Sequence, residues 1–207
     1  MNAKKVIKKC IGPSMKSPIF FAVGLLIILL DVDMDSFGAI GMLFIMIGFF
    51  RLMTNELIML AGAAKSIKNL QKEGMLELAA QELQSGIKTV YGKDKTIVTE
   101  NFVFVRRGGV ALNCNRIIYI YKNTQVVRFL IIPILRVERL MACTPSVSAG
   151  VYTKMGKDKQ DVISDIAGKL ITFNPNMMVG YTPDNIKRYR EKVKEYKKAQ
   201  KEQKNRV

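Results

Sequence analysis

Two uncharged apolar runs, Ser17–Leu30 and Ser36–Phe50, are separated by Asp31-Val-Asp-Met-Asp35. They hold 14 and 15 residues. At about 1.5 Å per residue each helix would cover roughly 22 Å, against a hydrocarbon core about 30 Å thick. Runs this short also suit buried core helices and re-entrant segments. Three features favour lipid. Phe20–Leu30 is apolar on every side, as full burial or lipid requires. Lys16 and Arg51 can snorkel, and Leu52 and Met53 lengthen the second run by most of a turn. Lys4, Lys5, Lys8, Lys9 and Lys16 precede the runs with no acid among them, and 28 basic residues follow from Arg51 on. By the positive-inside rule this puts both termini in the cytoplasm and the Asp-rich turn outside. The expectation is a transmembrane helical hairpin over 17–53 in the cell membrane. Gly41 and Gly48, seven apart, and Gly24 would let helix backbones approach. A signal peptide shares the basic start, but after Leu30 come aspartates, not a small-residue cleavage site, and a second apolar run follows.

The hairpin divides the chain into a basic cytoplasmic leader (1–16), the membrane pair (17–53), a helical linker (54–86), a cytoplasmic domain with closing helices (87–198) and a basic tail (199–207). Past the hairpin roughly 150 residues remain, enough for one domain and its tails. The formal charge is +16, and there is no histidine. That removes the commonest metal ligand and general base near neutral pH, and with it the Ser-His-Asp, Cys-His and H-E-x-x-H arrangements. Cys10, Cys114 and Cys143 form no C-x-x-C and leave an odd thiol, which fits reduced cysteines.

Past the hairpin, Leu57–Leu60 continues the second span, and Ala61-Gly-Ala-Ala64 is expected to loosen it. Ser66–Ser85 reads as an amphipathic helix with Leu76, Ala79, Ala80 and Leu83 on one face, weakened at Gly74 and stopped by Gly86. The pattern then turns to strands: Thr89–Tyr91, Thr96–Thr99, Phe102–Val105, Val110–Leu112, Arg116–Tyr121, a segment within Val126–Arg136, Val137–Thr144 and Val151–Lys154. Pro133 argues for an edge, a bulge or a break. Helical spacing returns at Val162, Ile163, Ile166, Ala167, Leu170 and Ile171, and Asn174-Pro175 ends it. Thr182-Pro183-Asp184 caps a last helix whose narrow stripe is Ile186, Tyr189, Val193 and Tyr196. Fraying is expected after Ala199.

Many short strands followed by a closing helix suggest a small antiparallel barrel or sandwich. Thr99-Glu-Asn-Phe102, Ile117-Ile-Tyr-Ile-Tyr-Lys122, Val151-Tyr-Thr-Lys154 with Gly156-Lys157, Asn174-Pro175 and Gly180-Tyr-Thr182 resemble a family of bacterial two-span membrane proteins with a cytoplasmic PH-like domain. The resemblance covers roughly 65–191 and implies an α+β membrane protein, with a PH-like antiparallel barrel or sandwich after the helical hairpin. It brings no active-site residues. The apolar 126–135 segment departs from the polar hairpin the family would place there.

The chemistry-bearing motifs are few. Asp31, Asp33 and Asp35 alternate like the start of a calcium loop, but Ser36 and Met42 stand where Gly and Glu are required. Arg106-Arg-Gly-Gly109 can present two guanidiniums and bare amides to an anion, or be a solvated turn. Lys187, Arg188 and Arg190 open a C-terminal stretch with ten basic and three acidic residues. The expected function is a non-catalytic, membrane-anchored binding or scaffolding module. It would have no cofactor, metal or catalytic residue, and would take an anionic ligand or lipid headgroup at Arg106, Arg107, Lys187, Arg188 and Arg190. Its partners would be the lipid bilayer with its anionic lipids and a protein. The alternatives are an enzyme or accessory subunit acting on membrane lipids, or a membrane-tethered nucleic-acid binder.

Overall fold

Phe102-Val-Phe-Val105 is apolar at every position. In an extended chain successive side chains point to opposite faces, so the phenylalanines face one way and the valines the other. All four are buried. A strand of this kind needs cover on both sides, and the fold supplies two cores. One collects Val103 and Val105 with Leu112, Ile120, Leu140, Val151 and the helical residues Ile163, Ile166 and Leu170. The other collects Phe102, Phe104 and Ala111 with helical residues from before the strands, among them Ile7, Leu70 and Leu83.

The computed structural model describes residues 2–12, 22–23, 25–26, 37–51, 57–86, 88–92, 96–129, 132–155 and 161–204. Helices α1 (Ala3–Ile11), α2 (Phe37–Arg51), α3 (Leu57–Lys72) and α4 (Leu76–Gln84) come first. Strands β1 (Thr89–Tyr91), β2 (Thr96–Val98), β3 (Phe102–Val105) and β4 (Val110–Asn113) form an antiparallel sheet in chain order. Strands β5 (Tyr119–Phe129), β6 (Ile132–Cys143) and β7 (Ser148–Met155) form a second antiparallel run. Helix α5 (Val162–Phe173) follows, and then β8 (Met178–Val179), which pairs parallel to β5. Helix α6 (Pro183–Lys204) ends the described chain. The class is α+β, with α1, α3 and α4 layered on the outer face of the first sheet and α5 packed into the core between the sheets.

The transmembrane expectation is corrected. Among the described residues no helix is long and apolar enough to cross a membrane. Helix α2 has 15 residues, about 22 Å of rise where a bilayer core needs about 30 Å. The helical hairpin over 17–53, the α+β membrane-protein class built on it, the multi-pass location in the cell membrane and the orientation with both termini cytoplasmic are therefore not supported. The physical reason is length: continuous apolarity does not make up for the shortfall in residues. Of the first run, only Ala22, Val23, Leu25 and Leu26 are described. Gly24 and the turn Asp31–Asp35 lie outside the described residues. Gly41 and Gly48 are buried on one side of α2, while Met42, Leu43, Met46, Ile47 and Phe49 are exposed.

The basic leader is likewise more than a leader. Asn2 caps α1, its side-chain oxygen accepting from the Lys4 amide at 3.0 Å. Ala3, Ile7 and Ile11 lie on one helical face and are buried against α3, α4 and β3.

Two glycines decide how α3 meets the first sheet. A Cβ on Gly62 would collide with the Gly108 carbonyl oxygen, and one on Gly109 with the Met59 carbonyl oxygen. Gly109 also has φ of 61°, a left-handed conformation that suits glycine. With both side chains absent, the Ser66 hydroxyl reaches the β3–β4 turn. It donates to the Gly109 carbonyl at 3.1 Å and accepts from the Ala111 amide at 3.2 Å. The 61–64 stretch thus lets α3 dock without interrupting it. The interruption comes at Gly74, with φ of 68°, which separates α3 from α4.

Candidate functional site

A cleft of about 420 Å³ opens where α3, the end of β4, the 144–147 turn and α6 converge. That is within the range of small-molecule pockets, about 300–1,000 Å³. Each wall follows from local sequence. Lys65 and Asn69, four residues apart, share one face of α3, and Glu73 in the turn just after it continues that line. The 3₁₀ turn Cys114–Arg116 presents the Arg116 guanidinium, which pairs with Glu73 at 2.8 Å across the mouth of the cleft. Asn113 caps that turn, accepting from the Asn115 amide at 2.9 Å. Thr144 folds the opposite turn through its hydroxyl, which donates to the Val147 carbonyl at 3.1 Å. Val110, Leu112, Ile118 and Val147 supply the apolar floor.

Helix α6 closes the cleft through Tyr196. Seven residues earlier, Tyr189 lies on the same face and fixes the helix to the second sheet. Its ring packs on Tyr119 with centroids 5.5 Å apart, and its hydroxyl donates to the Thr144 carbonyl at 3.3 Å. Tyr119 stacks on Tyr121 at 5.0 Å, and Tyr121 meets Tyr181 at 5.1 Å. The Tyr119 hydroxyl is buried and has no hydrogen-bond partner among the described residues. Burial, with smaller repulsions from neighbouring ionisable groups, raises the Tyr119 and Tyr121 phenols above their ordinary range.

The electrostatics of the cleft are simple. Glu73 and Arg116 compensate each other, and the Lys65 ammonium makes no ion pair among the described residues. One uncompensated positive charge therefore stands beside an apolar floor with amide and hydroxyl groups at its rim. Beneath the turn, burial pushes the Cys114 thiol up to about 12, and burial also raises Cys143. Both sulfurs stay protonated at neutral pH, so neither is a thiolate nucleophile. Among the described residues no three His, Cys, Asp or Glu side chains gather as a metal site.

The residues singled out from sequence fall in two places, and no hydrogen bond or ion pair joins them among the described residues. Arg106 and Arg107 lie on the 3₁₀ turn Arg106–Gly108, which docks against α1 and α3. The Gly109 amide there is turned inward to the Arg106 carbonyl at 3.1 Å, so it is not bare to an anion. Lys187, Arg188 and Arg190 are exposed on the first turns of α6, while Ile186, Tyr189, Val193 and Tyr196 form its half-buried stripe. Among the described residues the cleft lining includes none of Arg106, Lys187, Arg188 and Arg190. Sequence reading passed over Lys65, Asn69 and Arg116 because their convergence depends on the docking of α3 across the β3–β4 turn. The glycines at 62 and 108–109 were the available signal.

Compared with known proteins, the chain matches no family model, no curated protein and no solved structure.

Proposed function

We propose that this chain is a non-catalytic binding module that takes a small amphipathic anion in the cleft between α3, β4 and α6. The observation that carries the reading is the lining. A Lys65 ammonium with no ion pair among the described residues stands at the edge of an apolar pocket of about 420 Å³, with Asn and hydroxyl groups around it. An acidic head would meet the lysine, and an apolar body would cover Leu112, Ile118 and Val147. The thiols nearest the site are held protonated, which supports binding over covalent chemistry. Four antiparallel strands, three more and a helix plugging the core between them also support kinship with PH-like domains, whose layout this order resembles.

The probe that fits this chemistry is 8-anilinonaphthalene-1-sulfonate, an aromatic body with one anionic group. Binding to the full chain should give saturable fluorescence. Lys65→Gln should weaken the saturable component about tenfold, the loss of one charge-assisted hydrogen bond. Asn69→Trp, which fills the cleft from α3, should abolish it. The exposed apolar residues of α2 contribute equally to all three proteins. If neither substitution changes the titration, the cleft is not the binding site.

A further inference from the structure

Helices α1 and α3 pack side by side, and neither contains an acidic residue. The first carries Lys4, Lys5, Lys8 and Lys9, the second Lys65, Lys68 and Lys72. Between them runs a groove of about 500 Å³, lined by Lys4, Lys5, Lys8 and Lys68 over a floor that includes Ala63 and Ala64. Among the described residues no carboxylate lines it, and none of these four ammoniums makes an ion pair or side-chain hydrogen bond. Like charges at three- and four-residue spacing on a helix repel. Among the described residues no carboxylate in this groove offsets that repulsion, which favours a ligand that brings the complementary charge.

We propose that this groove binds a small soluble anion carrying two or more phosphate groups. Four charges lining one open groove match clustered phosphates better than a single carboxylate. Lysine ammoniums are compact point charges on flexible stems and can approach tetrahedral oxyanions from several directions. Among the described residues the lining contains no aromatic ring, so it lacks the stacking platform that single-stranded nucleic acid uses. The groove is also independent of the cleft. Residues 62, 65, 66, 69, 70 and 73 of the α3 segment face the cleft, while 60, 63, 64, 67, 68 and 71 face the groove. The two sites share a helix and no lining residue.

The test is calorimetric titration of the full chain with inorganic tripolyphosphate. Saturable binding is expected at one site. Lys68→Gln should weaken it about tenfold, and the double substitution Lys4→Gln/Lys8→Gln by at least as much, since each removed ammonium takes a charged hydrogen bond with it. Lys194→Gln/Lys197→Gln, on the exposed side of α6, should leave it unchanged. The four lysines are exposed, so these substitutions leave both cores intact. Three results would each overturn the proposal. One is the absence of saturable binding. Another is equal weakening by the α6 control, which marks diffuse charge attraction. The third is binding to phosphatidylglycerol vesicles or to a single-stranded oligonucleotide without binding to tripolyphosphate.

Discussion

At the scale of the residue, the fold depends on atoms that are missing. Gly62 and Gly109 bring two backbones within contact, and Ser66 spans the gap with one oxygen. A methyl group at either glycine has backbone carbonyls to displace, which no rotamer change can relieve. Gly62→Ala and Gly109→Ala should each destabilise the protein by about 3 kcal/mol, the upper range for overpacking, as read by urea unfolding. A loss below about 0.5 kcal/mol, the level of a neutral surface change, would mean that α3 does not dock as described. The buried thiols make a second test. Unfolded thiols ionise near 8.5, while Cys114 in the fold is raised to about 12. The folded state therefore keeps a proton that the unfolded state loses between these values. This contribution to stability is complete below pH 8.5 and is lost as pH rises toward 12. At pH 9 iodoacetamide should leave Cys114 unmodified in the native protein and alkylate it in urea. Rapid native alkylation of Cys114, read by mass spectrometry, would contradict its burial.

At the scale of the element, α1 shows how a charged segment becomes part of a core. Its lysines suggested a leader, yet Ala3, Ile7 and Ile11 recur every four residues on one face. Ile7 is fully buried. Ile7→Ala should cost about 2–5 kcal/mol, as for other buried aliphatic truncations, and deletion of residues 1–12 should expose Phe102 and Phe104. Thermal unfolding distinguishes this from a detached leader, whose loss would leave the transition unmoved. Strands were the most legible elements: Thr89–Tyr91 and Phe102–Val105 fall where their β-branched and aromatic residues placed them, and Thr182 does cap α6, accepting from the Asn185 amide at 3.2 Å. The Pro133 bulge was also legible, since the β5–β6 register shifts next to the Arg128–Pro133 pair. Less legible were the 11- and 12-residue lengths of β5 and β6 and the parallel addition of β8. These depend on long-range pairing that local propensity does not encode. The short apolar run at 36–50 illustrates the same limit. Periodicity alone does not separate a buried helix from a spanning one, and length had to arbitrate.

At the scale of the molecule, α3 is the shared wall. It closes the second core with Leu70, faces the cleft with Lys65, Asn69 and Glu73, and faces the lysine groove with Lys68. The cleft was not legible in the sequence because its residues come from four elements joined only by the fold. The charge surplus was legible, but its concentration in an acid-free pair of helices appears only when α1 is placed beside α3. The most direct test of the binding-module account is amide hydrogen exchange on the full chain, with and without 8-anilinonaphthalene-1-sulfonate. The account predicts added protection confined to 62–73, 110–118, 144–147 and the α6 segment around Tyr196. Protection restricted to 37–51, with no change at these positions, would contradict it.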